Sequence, residues 1–397
     1  MSRKGTLITA AVLGAAIVSL FAGQRELSAS LDRQAVQAPV FEVDPFWPKP
    51  LPNGWLLGMV IGVGVDAKDH VFIVHRGQSS LNARTEGGYP VTGPCCSSAP
   101  PVLEFDPEGN LVNSWGGPGA GYTWPGSNHG ITVDPLGNIW IGGNGTRDSV
   151  NVADSHILKF THEGRFLQQI GVPGRESDSR SMDSFGRVAK VSFDAAASEA
   201  YVSDGYGNKR VAVLDMATGA IKRYWGAYGN APSDSNYGPY DPAKPLIAQF
   251  RNPVHCAEPS TDGLVYVCDR GNDRIQVFTT QGKFVKEVRV APLTRGDGSV
   301  WDIAFSRDAQ QKYLFLADGK NERVYVMDRQ SLEILTMFGD GGRQPGQFFA
   351  VHSIATDSKG NLFTTETYEG KRVQRFVYKG VRAVSKRDQG TTWPGRP

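Results

Sequence analysis

One unit is repeated six times along the 397-residue chain, and this repetition restricts the possible folds more than any other feature. Each copy has an alternating apolar run, an Asp with a Gly or Asn turn, a second apolar run, a short loop and a third run. The copies start near residues 61, 129, 189, 255, 303 and 352. Their alternation has the period of strands, and the intervals suit four-stranded units with loop insertions. The sequence therefore predicts an all-β fold, a six-bladed β-propeller.

The two ends of the repeat region predict how the ring closes. A strand around Phe41 to Val43 is expected to complete the last blade, so that the propeller spans residues 40–380. Radial repetition with such closure leaves each small sheet only short edges. The tail of residues 382–397 has no periodicity and is predicted to be disordered.

The first 30 residues have the pattern of a secretory signal. Arg3 and Lys4 precede an apolar run from Leu7 to about Ala22, and small residues follow. We expect cleavage between Ala22 and Ser30 and a secreted or periplasmic protein, with no membrane contact after cleavage. A retained anchor helix is the alternative, because the run nearly reaches the ~18 residues of a spanning segment.

Charge and cysteine content exclude several classes of function. Lys plus Arg number 42 and Asp plus Glu 40, so the net charge of +2 gives no reason to expect a nucleic acid or anionic membrane partner. A small molecule or peptide, bound by a monomer, is the expected partner. No CxxC occurs among the four cysteines, which excludes thiolate spacing for a metal. Cys256 and Cys268 could pair across a hairpin, Cys95 and Cys96 are adjacent, and structural or unpaired thiols are the favoured interpretation.

Three histidines occupy one repeat position in alternate copies, the second, fourth and sixth. His129 and His352 lie five residues before the Asp of the turn, and His255 lies seven residues before it. Equivalent positions in a closed ring face one axis, so these imidazoles are predicted to converge. Three imidazoles with an open fourth position are the ligand set of a catalytic zinc. A single histidine at a strand start is more often structural, so this prediction depends on all three.

The loops after the second strands are predicted to place further polar groups at the end of the ring where the three histidines lie, called here the mouth. Arg76 in copy one and Arg270 in copy four could each hold a carboxylate through two hydrogen bonds. Neither arginine lies at the repeat position where other arginines recur, and this favours a functional role for both. Tyr206, at the corresponding place in copy three, is a candidate base. The alternative is that Tyr206 is a loop residue without a function, because the residue at this place varies freely between copies.

The segments IVHRGQ, NHGITVDPLGNIW, YVSDGYGNKRV, NPVHCAEP with VCDRGNDRIQVF, and VHSIATDSKGNLF follow one another in this order. Together they resemble the peptidyl-alpha-hydroxyglycine alpha-amidating lyase family, propellers of the NHL-repeat type, from about Trp55 to Tyr378. The resemblance implies cleavage of the N–C bond of a peptidyl-alpha-hydroxyglycine or similar carbinolamide, giving an amide and glyoxylate. The site residues that it implies are the zinc ligands His129, His255 and His352, the catalytic tyrosine Tyr206, and the arginines Arg76 and Arg270, which also bind the substrate carboxylate.

Two positions depart from the family. An Asp follows the third zinc histidine in the family and serves a structural calcium, whereas this chain has Ser353. That change argues against a calcium held by the carbonyls of Val63 and Ile131. A family cysteine after the catalytic tyrosine is replaced here by Gly207.

Two other functions remain open from the residues alone. One is a metal-dependent hydrolase of the lactonase or esterase type, but such propellers usually use Glu, Asp and Asn ligands around calcium or zinc, and no carboxylate is placed with the three histidines. The other is a non-catalytic NHL propeller that binds protein or glycan. The full set of histidine, arginine and tyrosine residues argues against it, and Ser353 argues for it.

Overall fold

The computed structural model describes residues 35–86, 95–148, 152–175 and 177–395, and the predicted signal segment lies outside these ranges. Within them the chain forms 26 strands and three single-turn 3-10 helices, Gly77–Ser80, Ala227–Gly229 and Arg270–Asn272. No helix among the described residues has the length and apolar character needed to cross a bilayer. The described protein is thus built almost wholly of strands.

The strands are numbered in chain order. The first part of the chain contains β1 (Ala35–Asp44), β2 (Trp55–Leu56), β3 (Val60–Val65), β4 (Val71–His75), β5 (Ser97–Ser98), β6 (Val102–Phe105) and β7 (Leu111–Trp115). Blade 2 follows as β8 (Asn128–Val133), β9 (Ile139–Gly143), β10 (His156–Phe160) and β11 (Phe166–Gly171). Blade 3 consists of β12 (Lys190–Asp194), β13 (Glu199–Asp204), β14 (Arg210–Asp215) and β15 (Ile221–Trp225).

The second half continues the pattern. Blade 4 consists of β16 (Val254–Pro259), β17 (Leu264–Asp269), β18 (Arg274–Thr279) and β19 (Phe284–Arg289). Blade 5 consists of β20 (Asp302–Phe305), β21 (Tyr313–Asp318), β22 (Arg323–Asp328) and β23 (Ile334–Phe338). The last three strands are β24 (Val351–Thr356), β25 (Leu362–Glu366) and β26 (Val373–Ser385).

Six four-stranded antiparallel sheets form a closed ring. Blade 1 has the order β3-β4-β6-β7, and blade 6 has the order β24-β25-β26-β1. The first strand of every blade packs against the first strand of the next, and β24 packs against β3. The predicted all-β fold, a six-bladed propeller, is confirmed. The first strands therefore line a central axis.

Apolar side chains fill the spaces between neighbouring sheets. The second strand β4, with the sequence VFIVH, is buried at every position because both of its faces meet another blade. Between blades 5 and 6 the core contains Phe315, Phe338 and Phe376. Between blades 1 and 2 it contains Phe72, Phe160 and aliphatic residues such as Ile141. These separate cores make each interface between blades a packing unit.

Strand β1 closes the ring as the outermost strand of blade 6. It pairs antiparallel with β26, from Ala35 opposite Ser385 to Asp44 opposite Arg375. Phe41 of β1 is buried, and its ring centroid lies 5.4 Å from that of Phe315 in blade 5. The strand expected around Phe41 to Val43 thus completes the last blade.

The segment after Arg382 differs from the prediction of a disordered tail. Strand β26 extends to Ser385, and the backbone N–H of Val43 donates to the carbonyl of Thr392 at 2.9 Å. The side chain of Thr391 also donates to the Gly346 carbonyl. The exposed edge of β1 offers unpaired backbone groups, which aperiodic residues can satisfy as well as a regular strand.

All four cysteines lie in the described residues, and they form two pairs. Cys256 and Cys268 are directly opposed on β16 and β17, with Cα atoms 4.8 Å apart, and are joined by a disulfide. Cys95 and Cys96 are bonded to each other. Pairing across the hairpin, one of the options left open by the sequence, is therefore the observed one.

Candidate metal centre

The three predicted histidines converge on the axis. His129, His255 and His352 are each the second residue of a first strand, β8, β16 and β24. Their ring centroids lie 4.9–5.1 Å apart, and all three side chains are buried. In each blade the pairing register with the second strand shifts at this position. Such bulges redirect a side chain, which here turns each imidazole towards the axis.

Hydrogen bonds at Nδ1 fix the orientation of each imidazole. His129 Nδ1 donates to the Ala189 carbonyl at 2.7 Å, and His255 Nδ1 donates to the Trp301 carbonyl at 2.5 Å. His352 Nδ1 donates to Ser353 Oγ at 3.1 Å. With Nδ1 protonated, Nε2 is the nitrogen left to accept or to coordinate, an arrangement typical of metal-binding histidines.

The surroundings keep these imidazoles neutral. Burial, reinforced by the positive charge of Arg76, lowers the pKa of His129 to about 3. Burial lowers the pKa values of His255 and His352 well below their ordinary value as well. Neutral imidazoles are the form that binds metal. The three ligand nitrogens lie within 4.8 Å of one another, so the residues fit a zinc ion with three protein ligands and an open position.

Tyr206 places its hydroxyl against this centre. Its Oη lies 2.9 Å from His129 Nε2 and 3.1 Å from His255 Nε2. The loop after β13 approaches blade 4 closely at Gly205, where a Cβ would stand 2.0 Å from the Val254 carbonyl oxygen. Glycine at 205 therefore permits the loop position from which Tyr206 reaches the axis.

Arg270 lies beside Tyr206. Its Nη1 donates to Tyr206 Oη at 3.4 Å, and its guanidinium carbon lies 4.4 Å from the centroid of the Trp301 ring. The side chain is buried, and its Nε has no hydrogen-bond partner among the described residues. A stacked guanidinium with a spare donor is suited to an anionic substrate group.

Arg76 lies on the opposite side of the mouth, in the loop after β4. Its Nη2 donates to Asn144 Oδ1 at 2.9 Å, and its Nε lacks a partner among the described residues. Burial lowers the pKa of Arg76, while Tyr206 opposes that change through its charge. The arginine is thus held within electrostatic reach of both Tyr206 and His129. All six residues predicted from the sequence lie at one mouth, and their roles stay predictions.

Two aromatic residues of the mouth were missed by sequence reasoning. Trp301 stacks on Arg270, and its ring centroid lies 5.5 Å from that of His352. Tyr368, in the loop after β25, packs edge-on against Trp301 at 6.4 Å. Tyr368 occupies the same repeat place as Tyr206, so that equivalence was the available signal. Trp301 directly precedes the first strand of blade 5 and had no such counterpart.

A charged cluster lies on the axis next to the histidines. Lys190 and Asp302, the first residues of β12 and β20, form an ion pair at 2.8 Å, and Glu258 accepts from the same ammonium group at 2.8 Å. Burial opposes the charge on Lys190, but the two carboxylates raise its pKa above the ordinary value. Lys190 and Asp302 each begin the first strand of an odd-numbered blade, and this shared position was the signal by which sequence reasoning could have found the pair.

The residues around this cluster do not fit calcium. A cavity of about 10 Å³ is lined by Val63 and Ile131 and by Lys190 and Ser353. The carbonyls of Val63 and Ile131 are the calcium ligands that the resemblance to the amidating lyases implies. Calcium takes six to eight oxygen ligands, usually with carboxylates. Here an ammonium group contributes the positive charge, and Ser353 Oγ donates to the Ile61 carbonyl at 3.3 Å.

Fold and site together define a class of protein: a six-bladed propeller with three histidines on its axis and arginine and tyrosine side chains around them. No protein-family model matches the chain. Individual proteins, however, are similar to the chain over most of its length. Rat peptidylglycine alpha-amidating monooxygenase is 26% identical over 329 residues, covering 80% of this chain and 30% of that protein. Drosophila melanogaster peptidyl-alpha-hydroxyglycine alpha-amidating lyase 1 is 23% identical over 365 residues, covering 84% of this chain and 59% of that protein.

A third relative has a different name. Mouse NHL repeat-containing protein 3 is 24% identical over 362 residues, covering 86% of this chain and 85% of that protein. The chain spans only about 30% of the length of the rat and mouse monooxygenases. These relatives confirm the resemblance to the amidating lyases and NHL proteins over most of the chain. A solved structure of a catalytically inactive virginiamycin B lyase variant from Staphylococcus aureus with quinupristin matches with a TM-score of 0.46 at 14% identity, covering 89% of each chain.

Proposed function

We propose that the protein is a metal-dependent lyase that cleaves the N–C bond of a peptidyl-alpha-hydroxyglycine or similar carbinolamide carrying a carboxylate. The observation that carries the proposal is the position of the Tyr206 hydroxyl, within 3.1 Å of Nε2 of two axial histidines and beside a buried arginine. This arrangement offers a proton acceptor, a metal-ligand set and an anion site within one mouth. The amidating-lyase relatives support the same reaction class.

The proposed reaction is an elimination that balances without water. The substrate hydroxyl loses its proton and becomes a carbonyl, while the N–C bond breaks with its electron pair remaining on nitrogen. That nitrogen takes up a proton, so the products are an amide and glyoxylate. Zinc, the expected ion for His129, His255 and His352, would supply Lewis-acid polarisation at the open position.

The chain's own groups have two tasks in this proposal. Tyr206 accepts the proton of the substrate hydroxyl, for which it must lie within hydrogen-bond reach of that oxygen. Arg76 and Arg270 hold the carboxylate that leaves as part of glyoxylate. Their unpartnered Nε atoms are donors that such an anion would satisfy. Binding the carboxylate fixes the substrate with its hydroxyl at the axis.

Metal content and glyoxylate release together test the proposal. Purified protein should contain one equivalent of zinc that depends on the axial histidines and should release glyoxylate from an alpha-hydroxyhippurate-type substrate. Changing His129, His255 or His352 to Ala should remove that equivalent and abolish glyoxylate release. Tyr206→Phe should keep the zinc and lower turnover by about 10²-fold or more, because it removes only the proton acceptor.

Two other outcomes of these measurements would contradict the proposed function. Zinc without glyoxylate would reject this substrate class and leave the metal centre to another reaction. Absence of metal from a folded protein would reject the lyase and favour a propeller that binds ligands without turnover.

Export is a further part of the proposal. The paired cysteines are compatible with an oxidising compartment, and the apolar run from Leu7 to Ala22 has the composition of a secretory signal. N-terminal sequencing of protein recovered from the medium or periplasm should begin between Ala22 and Ser30. Recovery only from the cell interior, with Met1 retained, would contradict export.

A further inference from the structure

Two histidines that match no shared repeat position meet two carboxylates at the interface of blades 1 and 2. Asp66 follows β3, His70 precedes β4, Glu104 lies on β6, and His162 follows β10. These positions are at the opposite ends of the strands from Arg76, which follows β4. The cluster, called here the His70–His162 cluster, therefore lies on the face of the ring away from the axial histidines.

The donor atoms of this cluster are close together. His70 Nδ1 donates to Glu104 Oε1 at 2.6 Å, and His162 Nε2 donates to the same oxygen at 2.9 Å. His162 Nδ1 lies 3.9 Å from Asp66 Oδ2. One ligand atom each from Asp66, His70 and His162 can be chosen so that all lie within 4.8 Å of one another. The two imidazoles therefore share the Glu104 oxygen, through His70 Nδ1 and His162 Nε2, whereas Asp66 faces the other ring nitrogen of His162.

The local structure holds these groups in place. Asp66 Oδ1 accepts from the backbone N–H groups of Lys68 and His70, both at 2.8 Å, which leaves Oδ2 directed to His162. The His162 ring stands edge-on to Phe72 with centroids 5.1 Å apart. Neither carboxylate depends on the solvent for its position, so the cluster is preformed.

Burial and charge favour a cation at this point. The Asp66 and Glu104 side chains are 6% and 3% exposed, whereas those of His70 and His162 are 26% and 31% exposed. Two nearly buried carboxylates concentrate negative charge, and the partly exposed imidazoles give an ion access from solvent. No lysine or arginine forms an ion pair with either carboxylate among the described residues.

We propose that the His70–His162 cluster is a second metal site, for a divalent transition ion such as zinc, that clamps blade 1 to blade 2. Mixed imidazole and carboxylate ligands suit zinc and its neighbours better than magnesium or calcium. Tetrahedral zinc with bonds of about 2.0–2.1 Å places ligand atoms about 3.3 Å apart. The present hydrogen-bond distances need only a small expansion, in which the ion replaces the protons between Glu104 and the two rings.

Metal counting on a matched set of variants tests this site. Chelator-treated full-length protein would be titrated with Co²⁺ and followed by visible absorption and equilibrium dialysis. His162→Gln and His70→Gln should each bind one equivalent fewer than the unchanged protein. His352→Ala should lose the other equivalent and keep the one at the His70–His162 cluster. Because each variant is compared with the unchanged protein, the loss of one equivalent in His162→Gln or His70→Gln has the same meaning whatever the axial histidines bind.

Stability measurements complete the test. Zinc should raise the thermal midpoint of the His352→Ala variant and should not raise that of a variant carrying both His352→Ala and His162→Gln. Glu163→Gln, a change at the exposed neighbouring residue, is the control and should bind as the unchanged protein does. Equal metal counts in the unchanged protein and in folded His162→Gln would overturn the site and leave a hydrogen-bonded contact between blades.

Discussion

Single hydrogen bonds decide which nitrogen of each axial histidine faces the open position. For His129 and His255 the acceptors of Nδ1 are backbone carbonyls, which no substitution removes directly. For His352 the acceptor is the Ser353 hydroxyl, which in turn donates to the Ile61 carbonyl. Ser353 is therefore the one position where side-chain chemistry orients an axial imidazole.

Ser353→Ala tests this orientation. We expect the affinity for zinc to fall by about 10–100-fold, because a metal ligand loses the partner that fixes its orientation. The thermal midpoint without metal should stay within a few degrees of the original. Competition with a chromogenic chelator measures the affinity, and Ser358→Ala, in an exposed turn, is the control. An unchanged affinity would show that packing alone orients His352.

Arg76→Ala tests the second residue-scale role. Turnover in the glyoxylate assay should fall by about 10²–10³-fold, as when a preorganised donor is removed from an active site. Zinc content should not change, because the guanidinium contacts Asn144 and not a ligand nitrogen. Arg76→Lys should recover part of the loss, and Arg84→Ala, at an exposed position, should have no effect. Unchanged turnover in Arg76→Ala would remove this arginine from the site.

Within a blade, an ion pair couples the second strand to the outermost one. Glu199 at the start of β13 accepts from both Nη atoms of Arg223 on β15, at 2.7 and 2.5 Å. Arg223, with Lys222 and Tyr201, holds the pKa of Glu199 at about 2 although burial opposes this change. The ordinary value is 4.5. The carboxylate therefore stabilises the folded state above the ordinary pKa, and that contribution is lost as pH falls from 4.5 to about 2.

Glu199→Gln should lower the free energy of unfolding at pH 7 by about 1.5–3 kcal/mol, the usual range for hydrogen bonds to charged groups. It should also flatten the decline in stability between pH 4.5 and 2. Urea unfolding across this pH range measures both effects. Glu333→Gln removes a more exposed pair with Lys386 and should change stability by less than about 1 kcal/mol. Parallel pH profiles for Glu199→Gln and the unchanged protein would contradict the assignment.

Ring closure joins the whole molecule through β1. Phe41→Ala should lower the free energy of unfolding by about 3–5 kcal/mol, because it empties a buried position between blades 5 and 6. Phe46→Ala, just beyond the same strand and 82% exposed, is the matched control and should have little effect. Urea unfolding monitored by tryptophan fluorescence gives both values. Equal midpoints for the two variants would mean that the closing strand contributes little to stability.

The propeller and the convergence of His129, His255 and His352 could be predicted because a repeat fixes equivalent positions around one axis. The repeat also identified the loops that carry Arg76 and Arg270. It carried no information about contacts between the turns of adjacent blades, where His70 and His162 meet Glu104. The bulges that turn the histidines inward depend on pairing register, which alternation alone does not specify.

Blade 6 contains the earliest and the latest strands of the described chain. During synthesis β1 leaves the ribosome long before β26 exists, and pairing across such a separation is intrinsically slow. His352 lies on β24 of this same blade, so a growing chain holds at most two of the three axial imidazoles. The metal-ligand set is therefore complete only after β24 has been synthesised, so the first five blades cannot form the complete centre without the sixth.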